Sequence, residues 1–329
     1  MLAGAAAFGV GTLTALQARA NGHLATVFAS SIDAALWSFG SGWVLLTLAF
    51  LHPAMRAGMR RARAANLGGR LAWWQFFGGL FGGFFVAVQT WSVPQVGVAL
   101  FTIAVVGGQT VNALAVDAAG LGPAGRAPVT VGRVVAALGT FGGVGLAMSG
   151  RGAFEAGGIP VSAVLLAVVA GMGLAVQQAI NGRVNRESGN VVTTTWVNFT
   201  WGSGLLIGLA AAQLARGTWS PPASWDAPWW AWTGGALGIL FVAVGAVVVH
   251  HLGVLLAAML TLAGQLTGAV VVDLFSPHAR IDAAVLGGVL ITLCSGVAAT
   301  VAAGRARRRQ GRDATAAVSA DRSGSSPTA

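Results

Sequence analysis

The stretches LQARANG (residues 16–22) and VQQAING (residues 176–182) each close an apolar run with the pattern Gln-x-x-x-Asn-Gly. Gln and Asn do neutral hydrogen-bond chemistry, with donors and an acceptor on one uncharged group. Four residues apart on a helix, they share a face. An amide in hydrocarbon needs partners, so Gln17 and Gln177 are expected to face the protein interior, lining a cavity or bonding a neighbouring helix. Asn21–Gly22 and Asn181–Gly182 read as helix ends, because both residue types tolerate positive φ. Further amides set inside apolar runs are Gln89, Gln109, Asn112, Asn198 and Gln265. Gln109 and Gln265 lie deepest and are the leading candidates for substrate contact, against the alternative that they only tie helices together. Trp91 and Trp43 could stack on an apolar or cationic substrate.

Acid–base chemistry has fewer carriers. Asp33 is the only carboxylate well inside an apolar run, where a charge must be paired, hydrated or protonated. Arg19 is its expected partner, and proton coupling is the alternative role. Asp117 and Asp273 each end an apolar run and read as caps or gate partners. Nothing resembles a nucleophile elbow, a phosphate loop, a zinc signature or a carboxylate pair. Cys294 stands alone in an apolar run, as a small buried residue. No catalytic residue, metal or cofactor is expected.

The elements that carry these groups follow from hydropathy. The chain is 55% hydrophobic and 9% charged, with a mean hydropathy of +0.74, whereas a soluble domain carries roughly 25% charged residues. An all-α integral membrane protein is expected, with the lipid bilayer as its solvent. Spans need about 20 apolar residues, and ten such runs are legible, at 2–21, 27–51, 73–93, 95–117, 129–149, 159–180, 190–214, 229–250, 253–275 and 283–303. Residues 304–329 are polar and Ser-rich and read as a disordered tail. The net charge of +10 comes from arginines in loops, not from a basic face with interleaved aromatics, so no nucleic-acid partner is expected. All arginines except Arg19, Arg151, Arg216 and Arg280 fall in loops sharing a side with the N-terminus or in the tail. Basic residues stay cytoplasmic, which places both termini in the cytoplasm and the loop at 151–158 outside.

The doubled motif belongs to a longer duplication. Gln17, Asn21, Gly22, Phe39 and Gly42 match Gln177, Asn181, Gly182, Phe199 and Gly202 at an offset of 160; Trp73, Gln109 and Asp117 match Trp229, Gln265 and Asp273 at 156. The four-residue difference lies in the Arg-rich loop between the second and third spans. Residues 1–150 and 151–303 are therefore two five-span copies, and an odd number of spans forces them into opposite orientations. ALQARANGHL followed by SFGSG, and GGQTVNALAVDAAG followed by GRVVAALGTFGGVGLAM, resemble the YdcZ-type branch of the drug/metabolite transporter superfamily. That resemblance implies a ten-helix carrier of small molecules in the bacterial inner membrane, with homodimer formation left open. A secondary transporter is the expected function, and a membrane-embedded lipid-modifying enzyme or structural subunit is the alternative.

Overall fold

The computed structural model describes residues 2–123, 125–150, 160–276 and 281–324, and among these the chain is helical with no strand. The helices are α1 (Leu2–Phe28), α2 (Ser31–Leu48), α3 (Pro53–Leu67), α4 (Gly78–Ala119), α5 (Val131–Ser149), α6 (Val161–Ser188), α7 (Val191–Ala215), α8 (Gly234–Leu274) and α9 (Ala283–Gly324). Among the described residues six stretches are long and apolar enough to cross a membrane: 31–51, 73–119, 131–149, 161–188, 256–274 and 283–302. Helices α1 and α7, with 27 and 25 residues, have the length, but polar side chains interrupt their apolar stretches.

Helix α4 is not one rod. Gly97 sits at φ 81°, ψ 168°, outside any helix and open only to glycine without strain. The rings of Phe85 and Phe101 lie 5.7 Å apart, although 16 residues of straight helix would separate them by about 24 Å. The chain therefore folds back at Gly97 into two antiparallel arms. Helix α8 reverses as well. Gly238 abuts Gln17 and Gly268 abuts Thr12, two positions about 7.5 Å apart along α1, while 30 residues of straight helix would span about 45 Å.

Lipid gives helices no hydrophobic reason to associate, so close approach through small residues does that work. The main core packs the second arm of α4 (Val98–Val106) against α1, α5, α6, α8 and α9. A Cβ added at Gly264 would strike the Phe8 carbonyl, and one at Gly108 would strike the Val168 carbonyl. Gly11 and Gly171 are closed in the same way by Thr261 and Val105. These contacts join α1 to α8 and α6 to α4, and they pair positions related by the offsets of 160 and 156.

Four expectations require correction. Asn21–Gly22 and Asn181–Gly182 do not end helices; α1 runs on to Phe28 and α6 to Ser188. The glycines serve close approach instead, Gly22 against Val93 and Pro94 and Gly182 against Pro123. The helices end one or two turns later, at Ala29 (φ 52°) and Gly189 (φ 59°). The Arg-rich loop after the second span holds helix α3, started by Pro53 at its first turn and by His52 accepting from the Ala54 N–H. Residues 304–324 continue α9 rather than lacking structure, since Ala and Arg have high intrinsic helix propensity that a burial argument overlooks. Cys294 is exposed on α9, where a lipid environment removes the need to bury it.

Candidate functional site

Each copy of the Gln-x-x-x-Asn motif projects into the middle of the bundle. On α1, Gln17 Nε2 donates to the Gly234 carbonyl at 2.9 Å, and Asn21 Nδ2 donates to Gln89 Oε1 at 2.7 Å. On α6, Gln177 Nε2 donates to Asn198 Oδ1 at 2.8 Å. Asn21, Gln89, Gln177 and Asn198 are all buried, as amides in an apolar interior must be when paired.

Between the two amide groups stand Phe39 of α2 and Phe199 of α7, stacked with centroids 4.7 Å apart and planes at 25°. A Cβ built at Gly82 would lie 2.6 Å from Gln177 Nε2 and 3.3 Å from the Phe39 ring; at Gly238 it would lie 2.7 Å from Gln17 Nε2 and 3.4 Å from the Phe199 ring. Gly42 faces the Phe199 ring and Gly202 the Phe39 ring. Glycines thus form the floor that lets ring and amide approach the backbone. Asn21 Oδ1 and Ser38 Oγ are buried without a hydrogen bond, both against Gly234.

At each end of the bundle an arginine holds the C-terminus of a helix. Arg19 donates to the Val272 carbonyl (2.8 Å), to Ser276 Oγ (2.6 Å) and to the Phe275 carbonyl (3.1 Å), and lies 5.5 Å from the centroid of the Trp230 ring. It neutralises the C-terminus of α8, which carries partial negative charge. At the opposite end Arg183 of α6 donates to the Gly120 and Gly122 carbonyls at the C-terminus of α4, and Arg186 to the Pro123 carbonyl. Asp273, 1% exposed, accepts from the Val98 N–H (2.9 Å) and the Ala99 N–H (2.8 Å), capping the second arm of α4 where it leaves Gly97. Asp117 pairs with Arg133 at 2.6 Å.

A family model described as "Putative inner membrane exporter, YdcZ" matches residues 2–146 and 162–299. The chain belongs to this family. The two matched stretches begin 160 residues apart, the offset already seen in the Gln-x-x-x-Asn motif. No curated protein matches the chain. Family and apolar helices together make it a multi-pass membrane protein of the transporter class.

In this exporter-family chain the expected site residues separate into groups. Gln17, Gln177, Gln89, Asn198 and Asn21 converge as described, and Asn181 Oδ1 closes against Gly78. Gln109 and Gln265 are half-buried on the α4–α6 and α1–α8 contacts and share no hydrogen bond with that cluster. Trp91 is 37% exposed, outside the aromatic stack. Asp33 and Arg19 do not form the expected ion pair: Arg19 is held by α8, and Asp33 Oδ1 accepts from Trp219 Nε1 at 3.4 Å while Oδ2 is buried without a partner. The reason is local, since Asp33 lies in the first turn of α2 behind the Ser30 cap, and the α8 carbonyls compete for the guanidinium. Ser38, the Phe39–Phe199 contact and Arg183 were not singled out from the residues. The offset of 160 makes Ser38 the counterpart of Asn198, a signal that was present. Nothing local marks Arg183 as a cap on a helix distant in sequence.

Proposed function

We propose that this chain is a secondary transporter that moves a small molecule across the inner membrane by alternating access between two inverted five-span copies. The observation that carries the proposal is reciprocity. Gln17 meets Gly238 and Gln177 meets Gly82; Asn21 meets Gly234 and Asn181 meets Gly78; Gly42 meets Phe199 and Gly202 meets Phe39. Positions from one copy meet the partner's equivalents in both directions, which is the pattern of a rotation that is its own inverse, a two-fold axis running between Phe39 and Phe199. With five spans per copy that axis lies in the membrane plane, and substrate sites of inverted-repeat carriers lie at such an interface. The reversals in α4 and α8 supply the two extra crossings that a ten-span chain requires.

On this reading the substrate sits between the amide groups, against the aromatic pair. The cluster has no charged side chain, which suits a neutral hydrogen-bonding solute with a flat apolar part. Arg19 closes one mouth and Arg183 the other, and transport alternates which of the two is released. The test is flux of a panel of neutral metabolites and aromatic amines in proteoliposomes. Gln177→Ala and Asn198→Ala should lower uptake of the solute that the parent carries while the protein stays folded, and Gln109→Ala should do so less. Normal flux in the first two would remove the central site. Both termini are assigned to the cytoplasm on the arginine distribution; cysteines at Ser319 and Thr218, in a Cys294→Ala background, should label with impermeant maleimide on intact cells only at position 218.

A further inference from the structure

Helix α3 has no part in the central site. Its buried stripe, Met55, Gly58, Ala62 and Ala65, lies across the α6–α7 connection. There Thr193 Oγ1 donates to the Met55 carbonyl (3.2 Å) and Arg61 Nε to the Ser188 carbonyl (2.7 Å). At 3.6 residues per turn, Arg56, Arg60 and Arg63 fall within an arc of about 60° on nearly the opposite side. All three are exposed. The carboxylates at this end are occupied elsewhere, Glu187 by Arg70 and Arg186 and Asp117 by Arg133. Arg56, Arg60 and Arg63 therefore have no acidic partner among the described residues.

We propose that this face of α3 binds anionic phospholipid headgroups at the membrane surface. The two ends of the helix fix its depth. It follows directly from the apolar stretch ending at Leu51 (81% exposed), and it ends at Leu67 (87% exposed), shortly before the span-opening Trp73 (68% exposed). Large exposed apolar side chains on both flanks mark the hydrocarbon boundary, where Trp is also favoured. A helix about 22 Å long tethered at both ends to that boundary stays within the headgroup layer, which is about 5–7 Å deep per leaflet. Arginine stems lie along apolar surface and lift their charge to this layer. A basic helical face flanked by Leu and Trp is the chemistry that recognises an anionic lipid surface.

The experiment places a bimane label on Ala64→Cys, in a Cys294→Ala background, and reconstitutes the full chain in nanodiscs containing brominated phosphatidylglycerol or brominated phosphatidylcholine. Phosphatidylglycerol should quench the label more strongly at equal mole fraction, and the preference should fall as salt rises. R56Q/R60Q/R63Q should lose it, by about fivefold in local enrichment per arginine, while R56K/R60K/R63K should keep it. Equal quenching by the two lipids in the parent overturns the proposal. If that quenching is absent rather than strong, the face is turned to solvent, where an acidic protein is the remaining occupant. Should the Gln variant fail to assemble, a lipid preference in the parent that does not change with salt is equally fatal.

Discussion

Removing the Asp273 carboxylate tests whether α4 is held folded back by a side chain from the other half of the chain. In Asp273→Ala, the Val98 and Ala99 N–H groups, on residues 2% and 0% exposed, lose the acceptors they meet at 2.9 and 2.8 Å. A buried donor left unmade costs about 1–3 kcal/mol, so two cost about 2–6 kcal/mol. Asp273 makes further interactions, which makes this a floor. Asp273→Asn keeps one acceptor oxygen and loses the charge that favours a helix N-terminus, a penalty of about 1–2 kcal/mol. At roughly 2 °C per kcal/mol for a chain of this size, the midpoint should fall by about 4–12 °C in the alanine variant and about 2–4 °C in the asparagine variant. The twelve tryptophans report thermal unfolding in detergent directly. An alanine variant melting within about 1 °C of the parent, or an asparagine variant weaker than alanine, would refute the cap and with it the account of the α4 turn.

Gly79→Ala places a Cβ onto the Asn198 carbonyl, a backbone atom, whereas Gly82→Ala meets the mobile end of Gln177. The first should lower expression and melting temperature, and the second should leave both near the parent's while reducing flux; the same melting loss in both would contradict the geometry. Arg19→Gln and Arg183→Gln should bias the protein toward opposite mouths, read as faster thiol labelling of Ser38→Cys in one and slower labelling in the other. Equal rates in the two would show that neither arginine gates. For Asp33, whose Oδ2 is buried without a partner, Asp33→Asn should abolish accumulation driven by a pH gradient and preserve substrate exchange. Undiminished proton-driven uptake in that variant would leave Asp33 as a first-turn residue of α2 and no more.

Solvent class and the polar inventory were legible in the residues because each is a local or composition-level property. A chain with 9% charged residues has no means of covering itself in water. The same reasoning failed where a residue's role depends on its neighbour in space. Asn-Gly looked like a helix end because its local preference allows one, yet Gly22 is needed against Val93 and Gly182 against Pro123, so packing overrode preference. Asp33 and Arg19 looked like a pair because the span assignment puts both near the same mouth and they are opposite in charge. Tertiary structure gave Arg19 to the α8 carbonyls and Asp273 to the α4 turn. Amide pairs four residues apart announce a polar face through helical periodicity alone. Which helix that face meets was decided only by tertiary packing, Gln17 coming to rest on Gly234 of the other half and Gln177 reaching Asn198 on the next helix of its own half, because hydrogen bonds between separate helices leave no trace in local spacing.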